Sequence, residues 1–85
     1  MLVAKVFVKL KDGILDPQGQ TVQHALENLG YDAVQQVRMG KLIELKLEGV
    51  DREQARQLVD EACRKLLANP VIENYTFELE ENGAQ

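Results

Sequence analysis

Ile14-Leu15-Asp16-Pro17-Gln18-Gly19 decides the fold, because this one short string turns a strand into a helix. Asp16 suits an N-cap, where its carboxylate can accept from the unpaired amides of a first helical turn. Pro17 suits the first helical position, which needs no N–H and wants a φ that proline already has. Ile14 and Leu15 are expected to tuck the incoming chain against that helix. Glycine in a helix costs about 1 kcal/mol relative to alanine, so Gly19 predicts that something approaches the first turn closely.

Upstream of the string, Leu2, Ala4, Val6, Val8 and Leu10 alternate with Val3, Lys5, Phe7 and Lys9 at the period of a β-strand, and Lys11-Asp12-Gly13 turns it. Downstream, Val22, Ala25, Leu26 and Leu29 recur at helical spacing until Gly30 supplies a natural stop. Ala33 to Leu47 is rich in Val, Leu and Ile around Arg38-Met39-Gly40-Lys41, and fits either a hairpin of two strands or one strand bent at Gly40. Asp51 with Gln54 three positions on forms a capping box. Ala55, Leu58, Val59, Ala62 and Leu66, widened by Cys63 and Leu67, would be the apolar stripe of that second helix, and Asn69-Pro70 would end it. A last strand is expected from Val71 to about Glu80, with Val71, Tyr75, Phe77 and Leu79 on one face. The order β-α-β(β)-α-β predicts an α+β, ferredoxin-like two-layer sandwich, an antiparallel sheet with two helices on one face. The other face would carry Val3, Phe7, Leu42 and Ile72 among charged residues. Residues 1–81 are expected to form one domain, and residues 82–85 a polar C-terminal tail.

Composition narrows the function classes. With 85 residues, 45% of them apolar, there is room for one small core. A domain of this size buries only about 60–65% of its unfolded surface, which favours an oligomer or a larger complex. A net charge of −4 argues against nucleic acid and anionic membranes as partners. Neither a signal-peptide core nor a membrane span is legible, so a cytoplasmic location is expected. The single cysteine, Cys63, leaves no intrachain disulfide or multi-thiolate zinc site, and the single histidine, His24, leaves no multi-histidine metal site. Cys63 falls on the apolar side of its helix and is expected in the core, while His24, beside Gln20, Glu27 and Asn28, is expected at the surface. No carboxylate pair, phosphate loop or zinc motif is legible, so no catalytic residue is assigned. Arg38, Gly40 and Lys41 fit either a small anion contact at a bend or a turn flanked by solubilising charges.

Three strings taken together carry a resemblance: Ile14 to Gly19, Val37-Arg38-Met39-Gly40-Lys41, and Cys63 to Tyr75 with Asn69-Pro70 inside it. From Val3 to about Leu79 the chain resembles the PurS family, the small subunit of phosphoribosylformylglycinamidine synthase. Met39, where a smaller aliphatic residue would be expected, is a slight departure. The resemblance implies a role in de novo purine biosynthesis, where formylglycinamide ribonucleotide, ATP and glutamine become formylglycinamidine ribonucleotide. It implies a non-catalytic chain that binds no cofactor, with ATP and magnesium on a synthetase partner (PurL) and ammonia released by a glutaminase partner (PurQ). A homo-dimer or tetramer of the small subunit would hold the two together. Asp16, Pro17, Gln18 and Gly19, then Arg38, Gly40 and Lys41, then Asn69 and Pro70, are the expected interface residues. The alternative is a small-ligand-binding regulatory domain of the same fold. An acylphosphatase-like enzyme is disfavoured because Lys11 to Gly19 holds no arginine, and an RNA platform because Phe7 lacks a second aromatic run.

Overall fold

The computed structural model describes residues 1–81. Strand β1 (Leu2–Leu10) leads into helix α1 (Pro17–Asn28), strand β2 (Gly40–Leu47), helix α2 (Arg52–Ala62) with a π-helical turn (Cys63–Leu67), and strand β3 (Glu73–Glu81). The three strands form an antiparallel sheet in the order β2-β1-β3. The β-α-β-α-β order and antiparallel sheet agree with the ferredoxin-like expectation, and no second middle strand forms. Residues 34–39 run irregularly and β2 begins at Gly40, so neither the hairpin nor the bent strand is present. Arg38 and Met39 spend their polar groups on β1 and Asp16 instead of on a strand partner.

Alternation in β1 decides where the core lies. Ala4, Val6 and Val8 are fully buried on the inner face, with Leu2 nearly so, and Ala4, Val6 and Val8 form one core cluster with Val59 and Cys63 of the α2 segment. Leu79, Phe77 and Tyr75 lie beside them on β3, in register with Ala4, Val6 and Val8. Helix α2 starts with the expected capping box: the Gln54 amide donates to Asp51 Oδ1 at 2.8 Å, and the Asp51 amide donates to Gln54 Oε1 at 3.0 Å. The expected stripe needs correction. Ala55, Val59, Cys63 and Leu67 face the core, whereas Leu58 and Leu66 are exposed. Spacing alone puts Leu58 within the stripe, but an α2 seated over β1 and β3 turns that flank outward.

The last strand starts two residues later than expected, at Glu73. Val71 lies outside it and is exposed, and Ile72 falls in the preceding turn instead of on the outer sheet face. The outer face otherwise carries Val3, Phe7 and Leu42, with Lys5 paired to Glu80 at 3.4 Å. The polar tail, residues 82–85, lies outside the described residues.

Helix α1 is the unusual element. Its N-cap, Pro17 start and terminal Gly30, at φ +92°, agree with the sequence. Yet among its residues only Gly19 is buried, and none contributes to the core cluster. The chain measures 49 × 32 × 14 Å with a radius of gyration of 16.5 Å, against about 12 Å for a compact domain of this length. Helix α1 meets the rest of the described chain at its first turn and through Gln23, whose side-chain amide donates to the Gln35 carbonyl, and packs along neither α2 nor the sheet.

Candidate functional site

All three strings converge on one end of the sheet. Because β1 runs antiparallel to both neighbours, its C-terminus lies where β2 and β3 begin: Lys9 pairs with Gly40, and Leu10 with Glu73. The Asp16 helix start hangs from the end of β1, the Arg38 segment feeds β2, and the Asn69-Pro70 turn feeds β3. The Lys11 amide donates to the Ile72 carbonyl at 2.8 Å and ties the first and third connections together.

Asp16 is the hub. Its Oδ1 accepts from the Gly19 amide at 2.9 Å, the expected cap, and its Oδ2 accepts from the Met39 amide at 2.8 Å. These two amides, the Met39 one foremost, hold the carboxyl below its ordinary pKa, with a smaller contribution from Arg38. Arg38 Nε is buried without a hydrogen-bond partner and stands 3.9 Å from Asp16 Oδ2. The other guanidinium nitrogens donate to the carbonyls of Leu10 at 2.6 Å and Lys11 at 3.2 Å, and to Asp12 at 3.3 Å. Arg38 is therefore spent inside the chain, closing the last turn of β1.

Gly19 shows why glycine is needed. A Cβ there would stand 2.2 Å from the Val37 carbonyl oxygen and 2.8 Å from Asp16 Oδ2. Gly40 also lies close to β1, where a Cβ would meet the Val8 carbonyl oxygen at 2.6 Å. Pro17 and Gln18 are exposed on the first turn of α1, and Gln18 shares an open groove with Lys41, Met39 and Glu73. Asn69 and Pro70 are exposed as well. Asn69 Oδ1 accepts from the Val71 amide at 3.1 Å, and Glu73 Oε1 accepts from the Asn69 amide at 2.7 Å, so this turn is built by its own side chains. Ile14 and Leu15 do not tuck against the helix: they are 38% and 65% exposed. A clasp from Leu15 needs an apolar partner one turn into the helix, and that position holds the exposed Gln20.

Two features escape sequence reasoning. Tyr75 Oη donates to Asp60 Oδ1 at 2.7 Å across the β3 flank of α2, lowering the carboxyl pKa and raising that of the phenol. The pairing of Arg38 with the end of β1 spans connections that no local spacing links. His24 is exposed, and Cys63 is buried with its thiol pKa raised, first by desolvation and then by the Asp60 charge. No group of three or more metal-ligating side chains occurs among the described residues.

Residues 3–81 match the family described as PurS, phosphoribosylformylglycinamidine (FGAM) synthase. The chain belongs to the PurS family. It is 54% identical to the FGAM synthase subunit PurS of Bacillus subtilis over 85 residues, covering all of both chains. Among solved structures, Methanocaldococcus jannaschii PurS, described as one of the subunits of formylglycinamide ribonucleotide amidotransferase, superposes with a TM-score of 0.86 at 43% identity. That superposition covers 96% of this chain and 99% of the other. A chain of the PurLQS structure from Thermotoga maritima superposes with a TM-score of 0.82 at 32% identity, covering 94% and 99%. A PurS fold thus places the family strings at one end of the sheet, around Asp16.

Proposed function

We propose that this chain is the non-catalytic small subunit of a cytoplasmic FGAM synthase complex, working as a homo-oligomer that joins a glutaminase subunit to a synthetase subunit. Ammonia released from glutamine by the first would then reach the ATP-activated formylglycinamide ribonucleotide on the second, which holds ATP and magnesium. Linking two modules raises the effective concentration of one at the other without new chemistry. The family match supports the reaction, and the exposed α1 is the observation that supports assembly.

Helix α1 leaves an empty seat. The inner faces of Ile43, Leu45 and Leu47 on β2 are only partly covered, because α2 packs on β1 and β3. The Asp60–Tyr75 bond marks the β3 flank of α2, and Leu58 and Ala62 lie roughly 160° round the helix from Asp60. That places them beside β2. A helix laid there would have Ile43, Leu45 and Leu47 as floor and Leu58 as wall, and α1 carries the matching stripe of Val22, Ala25, Leu26 and Leu29. Its own Leu29 is 71% exposed. Two copies exchanging α1 would each bury three large apolar side chains, on the order of 5 kcal/mol per copy, comparable with the cost of association. The sheet end that carries Gln18, Lys41, Asn69 and Pro70, with exposed Ile14, Leu15 and Val71 around it, then remains for the unlike subunits.

The test is glutamine-dependent FGAM synthesis by purified synthetase and glutaminase subunits with and without this chain, ammonia serving as the alternative nitrogen source. A chain required with glutamine and dispensable with ammonia is the coupling subunit. Independence of both rates refutes the proposal.

A further inference from the structure

Helix exchange raises the question of why α1 does not close onto its own sheet. We infer that Asp16, Gly19 and Arg38 form a latch that holds α1 away from its own β2 and so reserves the seat for a second copy. This rests on the exchange just proposed and adds a cause for it.

The latch fastens α1 at both ends of its path. At the outgoing end, Asp16 bonds the first-turn amide of Gly19 and, through its other oxygen, the Met39 amide one residue before β2. Gly19 lies directly against the Val37 carbonyl, so the first turn of the helix and the returning segment touch backbone to backbone. At the returning end, Arg38 grips the Leu10 and Lys11 carbonyls and Asp12, which fixes the point where the chain re-enters the sheet. Farther out, Gln23 Nε2 donates to the Gln35 carbonyl at 3.0 Å, so α1 and residues 30–36 travel as one arm, while Val37, Arg38 and Met39 form its root beside the Lys9–Gly40 pair. Swinging that arm back over β2 would separate Asp16 from Met39 and pull Val37 away from Gly19. Those groups would lose charge-assisted bonds at a site where Asp16 is only 8% exposed. No comparable set of contacts restrains the arm from lying on a neighbouring copy.

Two variants separate this from a role in stability alone. Asp16→Asn keeps an acceptor for the Gly19 amide, since asparagine is a good N-cap, but can turn its amide nitrogen towards Met39. Arg38→Met removes the grip on Leu10 and Lys11 while keeping the length of the side chain. Sedimentation and small-angle scattering, run over a dilution series of the full chain, give the dimer dissociation constant and the radius of gyration of the monomer. The inference expects both variants to raise the dissociation constant by about tenfold or more. It also expects their monomers to contract towards about 12 Å, the compact value, while the wild-type monomer stays near 16.5 Å. A dissociation constant within twofold of wild type in both variants, or a variant monomer as extended as wild type, overturns it. Leu26→Asp tests the exchange itself. If that variant associates as tightly as wild type, exchange is wrong whatever the latch variants do; if it is monomeric while the latch variants stay fully dimeric, only the latch is wrong.

Discussion

Gly19→Ala separates helix propensity from packing, because the two predict opposite signs. Alanine in the first turn of α1 should favour the helix by about 1 kcal/mol if the position were free. It is not free, since the new methyl would stand 2.2 Å from the Val37 carbonyl oxygen, where ordinary contact begins at 3.4 Å. The Val37 backbone must therefore retreat by roughly 1 Å, and the Met39 amide, two residues on, would be drawn off Asp16. Overpacking of this kind costs about 1–3 kcal/mol, and the upper part of that range applies because the obstacle is backbone. After the propensity gain, the net loss is about 1–2 kcal/mol. For a domain of this size that lowers Tm by about 5–10 °C. Thermal unfolding at one fixed protein concentration, with Gln20→Ala as the exposed neighbour on the same turn, is the assay. Gln20→Ala should change stability by no more than about 0.5 kcal/mol. A Gly19→Ala chain as stable as wild type, or more stable, would refute the reasoning and with it the close approach of the helix to Val37.

Other substitutions probe the remaining parts. The acid limb should depend on Asp16: its pKa is lowered in the folded chain by the Met39 and Gly19 amides, so its contribution is complete above the unfolded value near 4 and disappears as pH falls through the folded one. The urea midpoint of wild type should therefore converge on that of Asp16→Asn as pH drops below about 4, and a gap that stays constant to pH 2 would contradict this. Asp51→Ala removes the cap on the Gln54 amide and should cost about 1 kcal/mol in urea unfolding. Val59→Ala opens a void between α2 and Val6, at a cost of about 2 kcal/mol. Cys63, buried and with its thiol pKa raised, should react with a disulfide reagent only at the rate of unfolding; rapid labelling in native buffer would show that α2 opens locally.

The secondary structure was legible because its signals are local. Alternation over Leu2 to Leu10, the Asp16-Pro17 start and the Asp51/Gln54 box each act within a few residues, and each appears in the structure where the spacing puts it. The core face of α2 was legible only in part. Leu58 and Leu66 satisfy the periodicity, but which side of the stripe is covered depends on how α2 sits across the sheet. The irregular run at residues 34–39 looked strand-like because Val34 and Val37 have strand propensity, and propensity yields where Arg38 and Met39 are claimed by Asp16 and the end of β1. The cost of Gly19 was read correctly as the sign of a contact, while the identity of that contact, a carbonyl from a segment far along the chain, lay beyond local spacing.

The arm also bears on how so small a chain would bridge two enzymes, the role proposed for it. A closed 85-residue domain would spend its apolar helix on its own sheet and offer little surface beyond what solubility tolerates. By keeping α1 out, the inferred latch would spend that helix on a second copy, and the proposed two-fold assembly would present the Asp16 end of the sheet twice, in fixed relation. Two such ends on one rigid body are what a coupling subunit needs in order to hold two different partners at a set distance. Residues that grip the backbone, Asp16, Gly19 and Arg38, adjoin the exposed residues proposed to meet a partner, Gln18, Lys41 and Pro70, and on that proposal the first group would fix the geometry in which the second is displayed. Substituting the free group should weaken the unlike contacts and leave the dimer intact, whereas substituting the gripping group should alter the dimer first.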